Sequence, residues 1–352
     1  MELMTGSKRD EGGVSLNGRP SKLNIRDIAS LADVSHMTVS RVLNGHPNIR
    51  PATRQRVLDI IEELGFRPNS AARALATDRT RRIGVIMDSG VEYGPASTLR
   101  AIELAARETG YAVTSFAVQD DDGVTANNAV GELLAQGVDA LCVIAPRSSS
   151  VAALRKMSIS VPVLVVKSRK DPTFLTVGVD QHLGTNLAVD HLVALGHRDI
   201  LHVAGPLDWL DASARERAFH ARVKSWGLRE RAVVVGDWSG DFGFDFASGI
   251  RKMPEYTAIF AGNDEMAFGI IHGLHDNGIR VPEDVSIIGF DDLPVARHLL
   301  PPLTTVRQDF SALGAKAMEV LRAAMENRDS PQRSKIPTEL MVRQSTSSPR
   351  AP

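Results

Sequence analysis

The feature that most constrains the fold of this chain is a regular alternation of short apolar runs with helix-like segments, which begins at Arg82. The strand-like runs are Ile83–Met87, Ala112–Phe116, Ala140–Ile144 and Val163–Val166, followed by Ile200–Val203, Ala232–Val235, Ala258–Phe260 and Val285–Gly289. The helix-like segments are Leu99–Glu108, Ala126–Gln136 and Val151–Met157, followed by Leu183–Leu195, Ser213–Trp226, Phe242–Arg251 and Glu265–Asn277. This alternation predicts an α/β fold with doubly wound parallel sheets. Because the pattern occurs twice, we expect two similar lobes with a ligand cleft between them.

The segment Asn24–Asn44 predicts two short helices that share one small core. Apolar or small residues repeat there at helical spacing, and the repeat restarts with a shifted phase after a short turn. Asn24 and Ser35 are suited to cap the two helices, and Asp33 tolerates the left-handed backbone that such a turn requires. This arrangement is typical of a DNA-binding helix-turn-helix, although a plain two-helix hairpin is also compatible with the local spacing.

In a helix-turn-helix, the first turns of the second helix enter the major groove of DNA. The side chains predicted to reach base edges are His36, Met37, Ser40 and Arg41, and Thr38 is better placed for a phosphate. Residues 1–82 carry 14 Lys and Arg against 9 Asp and Glu, a net charge of +5, which leaves −6 on the remainder of a chain whose total is −1. A basic head on an acidic body predicts double-stranded DNA as a partner.

The segments that flank the helix-turn-helix differ in character. Residues 1–20 are polar without periodicity, which predicts a disordered tail, and the last residues, 346–352, are predicted to be disordered as well. A third helix is predicted to begin at Pro51, which completes an all-α head over residues 21–67. Residues 68–81 are short and rich in alanine, so a helix there is marginal in water and a plain linker is equally compatible with the composition.

Composition excludes several other classes of protein. No apolar run approaches the length of a membrane span and the N-terminus has no hydrophobic signal core, so we expect a cytoplasmic protein without membrane association. The single cysteine, Cys142, lies in an apolar run and is predicted to fill the core. We find no phosphate-binding loop, no Gly-x-Ser-x-Gly elbow and no Cys/His cluster, so we expect neither an enzyme nor a metal or other cofactor.

Several runs resemble the lactose-repressor (LacI/GalR) family over essentially the whole chain. They are Val39–Gly45, Thr53–Val57 and Leu64–Ala76 in the head, and His191–His197, Ala204–Pro206, Ala261–Ala267, Val285–Asp292 and Pro302–Phe310 in the body. The resemblance implies a homodimeric, sequence-specific transcriptional regulator, a repressor, that binds a pseudo-palindromic operator under the control of a small carbohydrate effector. It also implies a bilobed, periplasmic-binding-protein-like core over residues 82–345, with lobe 1 at 82–179 and 309–335 and lobe 2 at 180–308 and 336–345.

The same resemblance gives residues 68–81 the role of a hinge that becomes helical when two copies pair on DNA. The leucine that matches Leu75 wedges between base pairs in the minor groove, and small residues such as Ala72 let two hinge helices pack closely. Asn24, Ser35, Asn44 and Asn69 complete the set of implied DNA-binding residues. Since no leucine heptad follows the core, a tetramerisation coiled coil is not expected.

The resemblance also predicts which side chains bind the effector: Asp88, Pro95, Arg217, Trp238, Asn263, Asp291 and Gln308. Carboxylate, amide and guanidinium groups make directional hydrogen bonds to sugar hydroxyls, and an indole face covers the apolar side of a pyranose. Without the resemblance, Asp291 is equally compatible with a loop cap, Trp238 with ordinary core and Arg217 with a surface charge.

Lys167 follows the strand Val163–Val166, where the lactose repressor has an aspartate. We expect Lys167 in the effector site, paired with Asp88 beside a neutral sugar. The alternatives are a contact with an acidic ligand such as a uronate, or a lysine turned to solvent.

Two other functions for the whole chain fit the sequence less well. A solute-binding protein for sugar transport has no use for residues 24–76, and a sugar-processing enzyme lacks a convincing nucleophile or acid–base pair.

Overall fold

The computed structural model describes residues 23–43, 46–66, 79–87, 92–118, 124–167, 169–329 and 333–350. The chain divides into two compact units, Met1–Arg79 and Thr80–Pro352. The first is helical and the second contains two sheets, which confirms the predicted fold class. Within the described ranges, no helix is long and apolar enough to cross a membrane.

The described part of the first unit contains the helices α1 (Ile25–Leu31), α2 (His36–Leu43) and α3 (Pro51–Glu63). A capping box begins α1: the Asn24 side chain accepts a hydrogen bond from the Asp27 backbone N at 3.3 Å, and Asp27 Oδ2 accepts one from the Asn24 backbone N at 2.8 Å. Asp33 has a φ of +48°, the left-handed conformation predicted for the turn. Each helix contributes apolar side chains to one buried core, which includes Ile28, Val39, Val42 and Val57.

Lobe 1 contains the strands β1 (Arg82–Met87), β2 (Ala112–Ala117), β3 (Ala140–Ile144), β4 (Val163–Val166), β5 (Leu175–Val179) and β11 (Arg333–Ile336). They form a parallel sheet in the order β11-β5-β4-β3-β1-β2. Helices α4 (Tyr93–Glu108) and α11 (Phe310–Met325) pack on one face, and α5 (Val124–Ala135) and α6 (Ser148–Leu154) pack on the other. Cys142 in β3 is fully buried, as predicted, and burial raises the pKa of its thiol to about 12.

Lobe 2 contains the strands β6 (Ile200–Ala204), β7 (Val234–Val235), β8 (Ala258–Ala261), β9 (Ser286–Asp291), β10 (Thr304–Gln308) and β12 (Thr338–Met341). Their order is β12-β10-β9-β8-β6-β7, and β12 is antiparallel to β10 whereas the other pairs are parallel. Helices α7 (Gln181–Leu195) and α8 (Leu210–Ser225) share one core cluster with the sheet, and α9 (Gly240–Ser248) and α10 (Asp264–Asp276) share another. A short 3₁₀ helix, Pro294–His298, follows β9.

The chain crosses between the lobes three times: from β5 into α7, from β10 into α11 and from β11 into β12. Asp180 and Asp309 stand at the first two crossovers, where each side chain accepts a hydrogen bond from the backbone N–H three residues later. The backbone N of Asp180 also donates to the carbonyl of Ile336 at 2.8 Å. The first and third crossovers are therefore hydrogen bonded to each other.

The C-terminal segment Thr346–Arg350 differs from the disordered tail that its composition predicts, because it packs against lobe 2. The Ser347 backbone N donates to Ser286 Oγ at 3.0 Å, and the Arg350 guanidinium donates to the carbonyl of Asp284 at 2.6 Å and to the carbonyl of Pro254. This segment is ordered by hydrogen bonds to residues that are far away in the sequence. Such bonds leave no periodic pattern in the segment itself. Residues 351–352 and the predicted tail 1–20 lie outside the described residues.

Candidate effector cleft and DNA-binding face

A cavity between the two lobes holds about 690 Å³ of empty space, including the part that is open to solvent. Several lining residues stand at or just beyond the carboxyl ends of strands, among them Ala145 after β3, Asn263 after β8, and Asp291 and Gln308 at the ends of β9 and β10. Open α/β sheets bind their ligands at these ends. Other lining residues are Glu92, Tyr93, Pro95, Trp209, Asp211, Arg215, Trp238 and Phe310.

Arg215 on α8 holds a buried guanidinium in this wall, with only 5% of its surface exposed. Its Nε donates to Gln181 Oε1 at 2.8 Å, and a second nitrogen donates to the carbonyl of Gly262. Gln181 Nε2 in turn donates to Gln308 Oε1 at 3.4 Å, and Gln308 Nε2 donates to Asp291 Oδ1 at 2.5 Å. This chain of hydrogen bonds links four polar side chains and fixes their orientation before any ligand arrives.

The carboxyl groups near Arg215 have raised pKa values. Burial raises the pKa of Asp291 to about 7, against the opposing effects of Arg215 and of the hydrogen bond from Gln308. Burial also raises the pKa of Asp211 to about 6 and that of Asp264 well above its ordinary value. A ligand hydroxyl that donates to one of these carboxylates stabilises its ionised form.

Three buried polar atoms in the cavity wall have no hydrogen-bond partner within the described part of the chain: Nε1 of Trp209, Nε1 of Trp238 and Oε2 of Glu92. Both indoles are 6% exposed, and their rings meet edge to face with centroids 5.9 Å apart. An unsatisfied buried donor or acceptor costs about 1–3 kcal/mol. A ligand that carries several hydroxyl groups can satisfy two donors and one acceptor at once.

Asn263 has a structural role in the same wall. Its Oδ1 accepts from the Met266 backbone N at 3.0 Å, which caps α10, and its Nδ2 donates to the carbonyl of Trp238 at 2.8 Å. Trp238 has a φ of +76°, a conformation that residues other than glycine rarely adopt. Asn263 therefore helps to hold Trp238 in a strained backbone conformation that sets the position of its indole.

The structure brings five of the predicted effector residues together in the cavity wall: Pro95, Trp238, Asn263, Asp291 and Gln308. Their contact with a ligand stays a prediction, and Asp88 lies outside the described residues. The lining residues that sequence reasoning missed include Glu92, Trp209, Asp211 and Arg215. Of these, Arg215 had a usable signal, because it shares a helical face with the apolar residues three and four positions later, Ala218 and Phe219.

Arg217 does not line this cavity. It is exposed, and its guanidinium donates to Ser213 Oγ at 2.5 Å beside a second cavity. Successive residues of a helix are separated by about 100°, so Arg217 lies about 200° around α8 from Arg215. Arg215 therefore lines the cleft and Arg217 lines the neighbouring cavity, and contact of Arg217 with a ligand stays a prediction.

Lys167 is not turned to solvent, but its partner differs from the one predicted. Its Nζ lies 2.5 Å from Asp171 Oδ2, and Arg155 contacts the same oxygen at 2.6 Å. Burial opposes ionisation of Asp171, but hydrogen bonds from Lys167 and from the backbone of Thr173 and Phe174 outweigh it and lower the pKa to about 2. Like Arg217, Lys167 lines the second cavity rather than the first.

In the head, α2 divides into a buried face and an exposed face. Val39 and Val42 are buried, whereas His36, Met37 and Arg41 are exposed and Thr38 and Ser40 are half-buried. Ser35 Oγ accepts from the Thr38 backbone N at 3.2 Å, so Ser35 caps α2 as predicted. DNA contact by these side chains stays a prediction, and Asn44, Asn69, Ala72 and Leu75 lie outside the described residues.

Two family models match the chain. The model for bacterial regulatory proteins of the lacI family matches residues 24–69, and a periplasmic binding protein-like domain matches residues 189–346. Both matches agree with the helical head and the sheets of the second unit.

Two characterised relatives are similar over nearly their whole length. Catabolite control protein A of Priestia megaterium is 34% identical over 92% of this chain and 99% of its own. The lactose operon repressor of Escherichia coli K12 is 32% identical over 93% of this chain and 91% of its own.

Solved structures give the same result. The crystal structure of the Lac repressor dimer bound to operator and the anti-inducer ONPF aligns with a TM-score of 0.81 and 30% identity, over 93% of this chain and 100% of that one. A complex of the transcriptional regulator CelR with cellobiose aligns with a TM-score of 0.69 and 28% identity, over 92% of this chain and 99% of that one. The chain therefore belongs to the LacI family of DNA-binding transcriptional regulators.

Proposed function

We propose that this protein is a homodimeric, cytoplasmic repressor of transcription whose affinity for a pseudo-palindromic operator changes when a small carbohydrate occupies the cleft between its lobes. It acts by binding and not by turnover. The observation that supports a carbohydrate is a set of three polar atoms, on Trp209, Trp238 and Glu92, that have no hydrogen-bond partner among the described residues. They lie beside the fixed side chains of Asp291 and Gln308. Directional polar groups next to aromatic rings are the combination that recognises a sugar.

Two relatives support the proposal through what they bind. The Lac repressor structure is a dimer on its operator, and the CelR structure holds cellobiose. In this chain, the head presents an exposed face of α2 for DNA, and the cleft has walls from both lobes. A sugar that contacts both walls favours one arrangement of the lobes, and only its difference in affinity between the arrangements shifts the equilibrium.

The test is a thermal-shift panel of mono- and disaccharides on the full chain, followed by an operator-binding titration with each sugar that stabilises the protein. We expect at least one sugar to raise the melting temperature and to change operator affinity. A panel without any stabilising sugar contradicts the carbohydrate proposal. A stabilising sugar that leaves operator affinity unchanged contradicts the regulatory one.

A matched pair of variants locates the site. Trp238→Phe removes the unpartnered indole N–H but keeps an aromatic ring, so sugar affinity should fall by about threefold to tenfold, the effect of one hydrogen bond. Trp226→Phe is the control, because Trp226 is half exposed and its Nε1 donates to Asp190 at 2.8 Å, away from the cavity. Equal effects of the two variants on affinity would place the sugar elsewhere.

A further inference from the structure

A second cavity adjoins the effector cleft, with which it shares Leu210 and Asp211. It holds about 930 Å³ of empty space, counting the part that is open to solvent. Its lining is rich in basic side chains from both lobes: Lys167, Arg169 and Lys335 from lobe 1, and His182 and Arg217 from lobe 2. Asp211 is the one carboxylate among the described residues that line it.

Carboxylates that do not line the cavity neutralise part of this positive charge by pairing with two of the lining residues. Lys167 pairs with Asp171 at 2.5 Å, and Lys335 pairs with Asp180 at 2.9 Å. Arg217 contacts the hydroxyl of Ser213, which is neutral. Among the described residues, neither Arg217 nor Arg169 has a carboxylate within ion-pair distance. Two guanidinium groups therefore face this cavity from opposite lobes with their charges unpaired.

The charges of the two lobes act on His182, which lines the same cavity. Its pKa is lowered, first by burial and then by the positive charge of Lys335, with a further contribution from Arg217, whereas Asp180 opposes the shift. The lowered pKa favours the neutral imidazole, which adds a polar group without adding charge. Like charges across a cleft repel each other, and a bound anion removes that cost.

We propose that this cavity holds an anionic substituent of the effector, a carboxylate or a phosphate ester, so that the effector is an acidic carbohydrate. The inference rests on the proposed function, since the neutral part of the sugar occupies the adjoining cleft at Asp291 and Gln308. Guanidinium and ammonium groups are the donors that recognise carboxylate and phosphate. A neutral effector, which the sequence favours on the basis of a Lys167–Asp88 pair, loses that argument because Lys167 pairs with Asp171.

The position of the cations adds a consequence for regulation. Lys167, Arg169 and Lys335 belong to lobe 1 and Arg217 belongs to lobe 2, so an anion between them attracts both lobes at once. A neutral analogue of the same sugar lacks this attraction. The anionic form is therefore the stronger ligand and also the stronger regulator of lobe arrangement.

The test compares matched ligands on the full chain by calorimetry at constant ionic strength: glucose, glucuronate and glucose 6-phosphate, the three corresponding galactose compounds, and inorganic phosphate alone. We expect at least one anionic sugar to bind at least tenfold more tightly than its neutral parent. Glucuronate and glucose 6-phosphate, with their galactose counterparts, then distinguish a carboxylate from a phosphate ester.

Two variants test the assignment to this cavity. Arg217→Gln and Arg169→Gln should each reduce the ratio of affinities for the anionic sugar and its neutral parent about tenfold. Arg328→Gln is the charge-matched control, because Arg328 is an exposed arginine on lobe 1 that does not line the cavity. Circular dichroism verifies that each variant is folded.

Each remaining outcome decides for or against the proposal. If a neutral sugar binds as tightly as its anionic forms, or if the preference survives in both variants, the anion site is overturned while the carbohydrate proposal stands. If no sugar binds, the carbohydrate proposal fails, and binding of inorganic phosphate alone decides whether the second cavity is an anion site. Phosphate binding that is lost in Arg217→Gln supports an anion site, and no phosphate binding to the unaltered chain overturns it.

Discussion

At the scale of single residues, the buried pair of Lys167 and Asp171 shows how a cation is held at the edge of the second cavity. The Asp171 side chain has no exposed surface and receives hydrogen bonds from Lys167, Arg155 and two backbone N–H groups. Its lowered pKa means that the folded protein favours the ionised form more than the unfolded chain does. The resulting stability is present above the ordinary pKa of 3.8 and is lost as the pH falls towards about 2.

Lys167→Met should therefore lower the free energy of unfolding by about 2–4 kcal/mol at pH 7, because it removes one partner from a buried ion pair. At pH 3 the loss should be smaller, because Asp171 of the variant is then partly protonated and its charge is no longer fully left without the lysine partner. Urea unfolding of both proteins at pH 7, 4 and 3 measures the difference. An equal loss at all three values would show that Lys167 stabilises the fold through packing alone.

The carboxyl group of Asp291 predicts a pH dependence of effector binding. Its pKa is about 7 in the absence of ligand, and a hydroxyl that donates to the ionised form lowers that value. Affinity for a neutral sugar should consequently rise as the pH increases from 6 to 8, with release of a proton on binding.

Calorimetry in buffers with different heats of ionisation counts that proton. Asp291→Asn should remove the pH dependence above pH 7, where Asp211, with a pKa of about 6, is already mostly ionised. A pH dependence that persists unchanged in Asp291→Asn would assign it to another group.

The candidate site was predictable where it depends on strand ends and less so where it depends on helix phase. Asn263 and Asp291 lie at or just beyond the ends of apolar strands that are evident in the sequence, and both line the cleft. Gln308 also lines the cleft, but it ends β10, which the apolar pattern does not predict. Arg215 and Arg217 stand on one helix, and choosing between them requires knowing which face of α8 is buried. The pairing of Lys167 with Asp171 depends on the conformation of a loop, for which no periodic pattern exists.

At the scale of elements, α2 joins the packing of the head to its proposed contact with DNA. Its buried valines fix the helix against α1 and α3, so the exposed residues His36 and Arg41 are presented on a rigid support. We expect Arg41→Ala and His36→Ala each to weaken operator binding by about 1–3 kcal/mol, the value of a specific base contact.

Binding to random DNA should decrease less, and this difference is the measurement that matters. Arg56→Ala on α3 is the matched control, because Arg56 is exposed but is not on the recognition helix. If His36→Ala and Arg41→Ala reduce binding to both DNAs equally, these side chains contact phosphates and not bases.

The sequence predicts the strands β1 to β4 and β6 to β9 and misses β5, β10, β11 and β12. Strands β3 and β4 are continuous apolar runs because both faces of each are buried. In contrast, β10, β11 and β12 are strands of mixed polarity, and β11 and β12 lie at the edges of their sheets. Their existence depends on pairing with residues far away in the sequence.

At the scale of the whole molecule, the C-terminal segment Thr346–Arg350 contributes to the stability of lobe 2. His197 Nε2 lies within hydrogen-bond distance of the Ser347 carbonyl at 2.9 Å, and burial lowers the pKa of this histidine. Truncation after Ser345 removes this contact, together with those of Ser347 and Arg350. His197 Nε2 and Ser286 Oγ remain in contact with each other, and each hydrogen bond that is removed costs about 0.5–1.5 kcal/mol of stability.

The truncated protein should consequently unfold at a clearly lower urea concentration, with the loss confined to the second unit. A chain that lacks only residues 351–352 is the control and should match the full chain. If truncation after Ser345 has no effect on unfolding, the packing of this segment is not coupled to the stability of lobe 2.

The three crossovers impose a mechanical constraint on regulation. A single flexible connection would let the lobes rotate in any direction. Here three neighbouring segments connect them, and two of these segments are hydrogen bonded to each other through Asp180 and Ile336, so together they act as a hinge. Twisting or sliding of the lobes would strain the three connections unequally, so we expect bending about the crossovers to be the softest relative motion. A ligand between the lobes therefore acts on this one motion. The difference between its affinities for the open and closed arrangements determines how far it shifts the equilibrium between them.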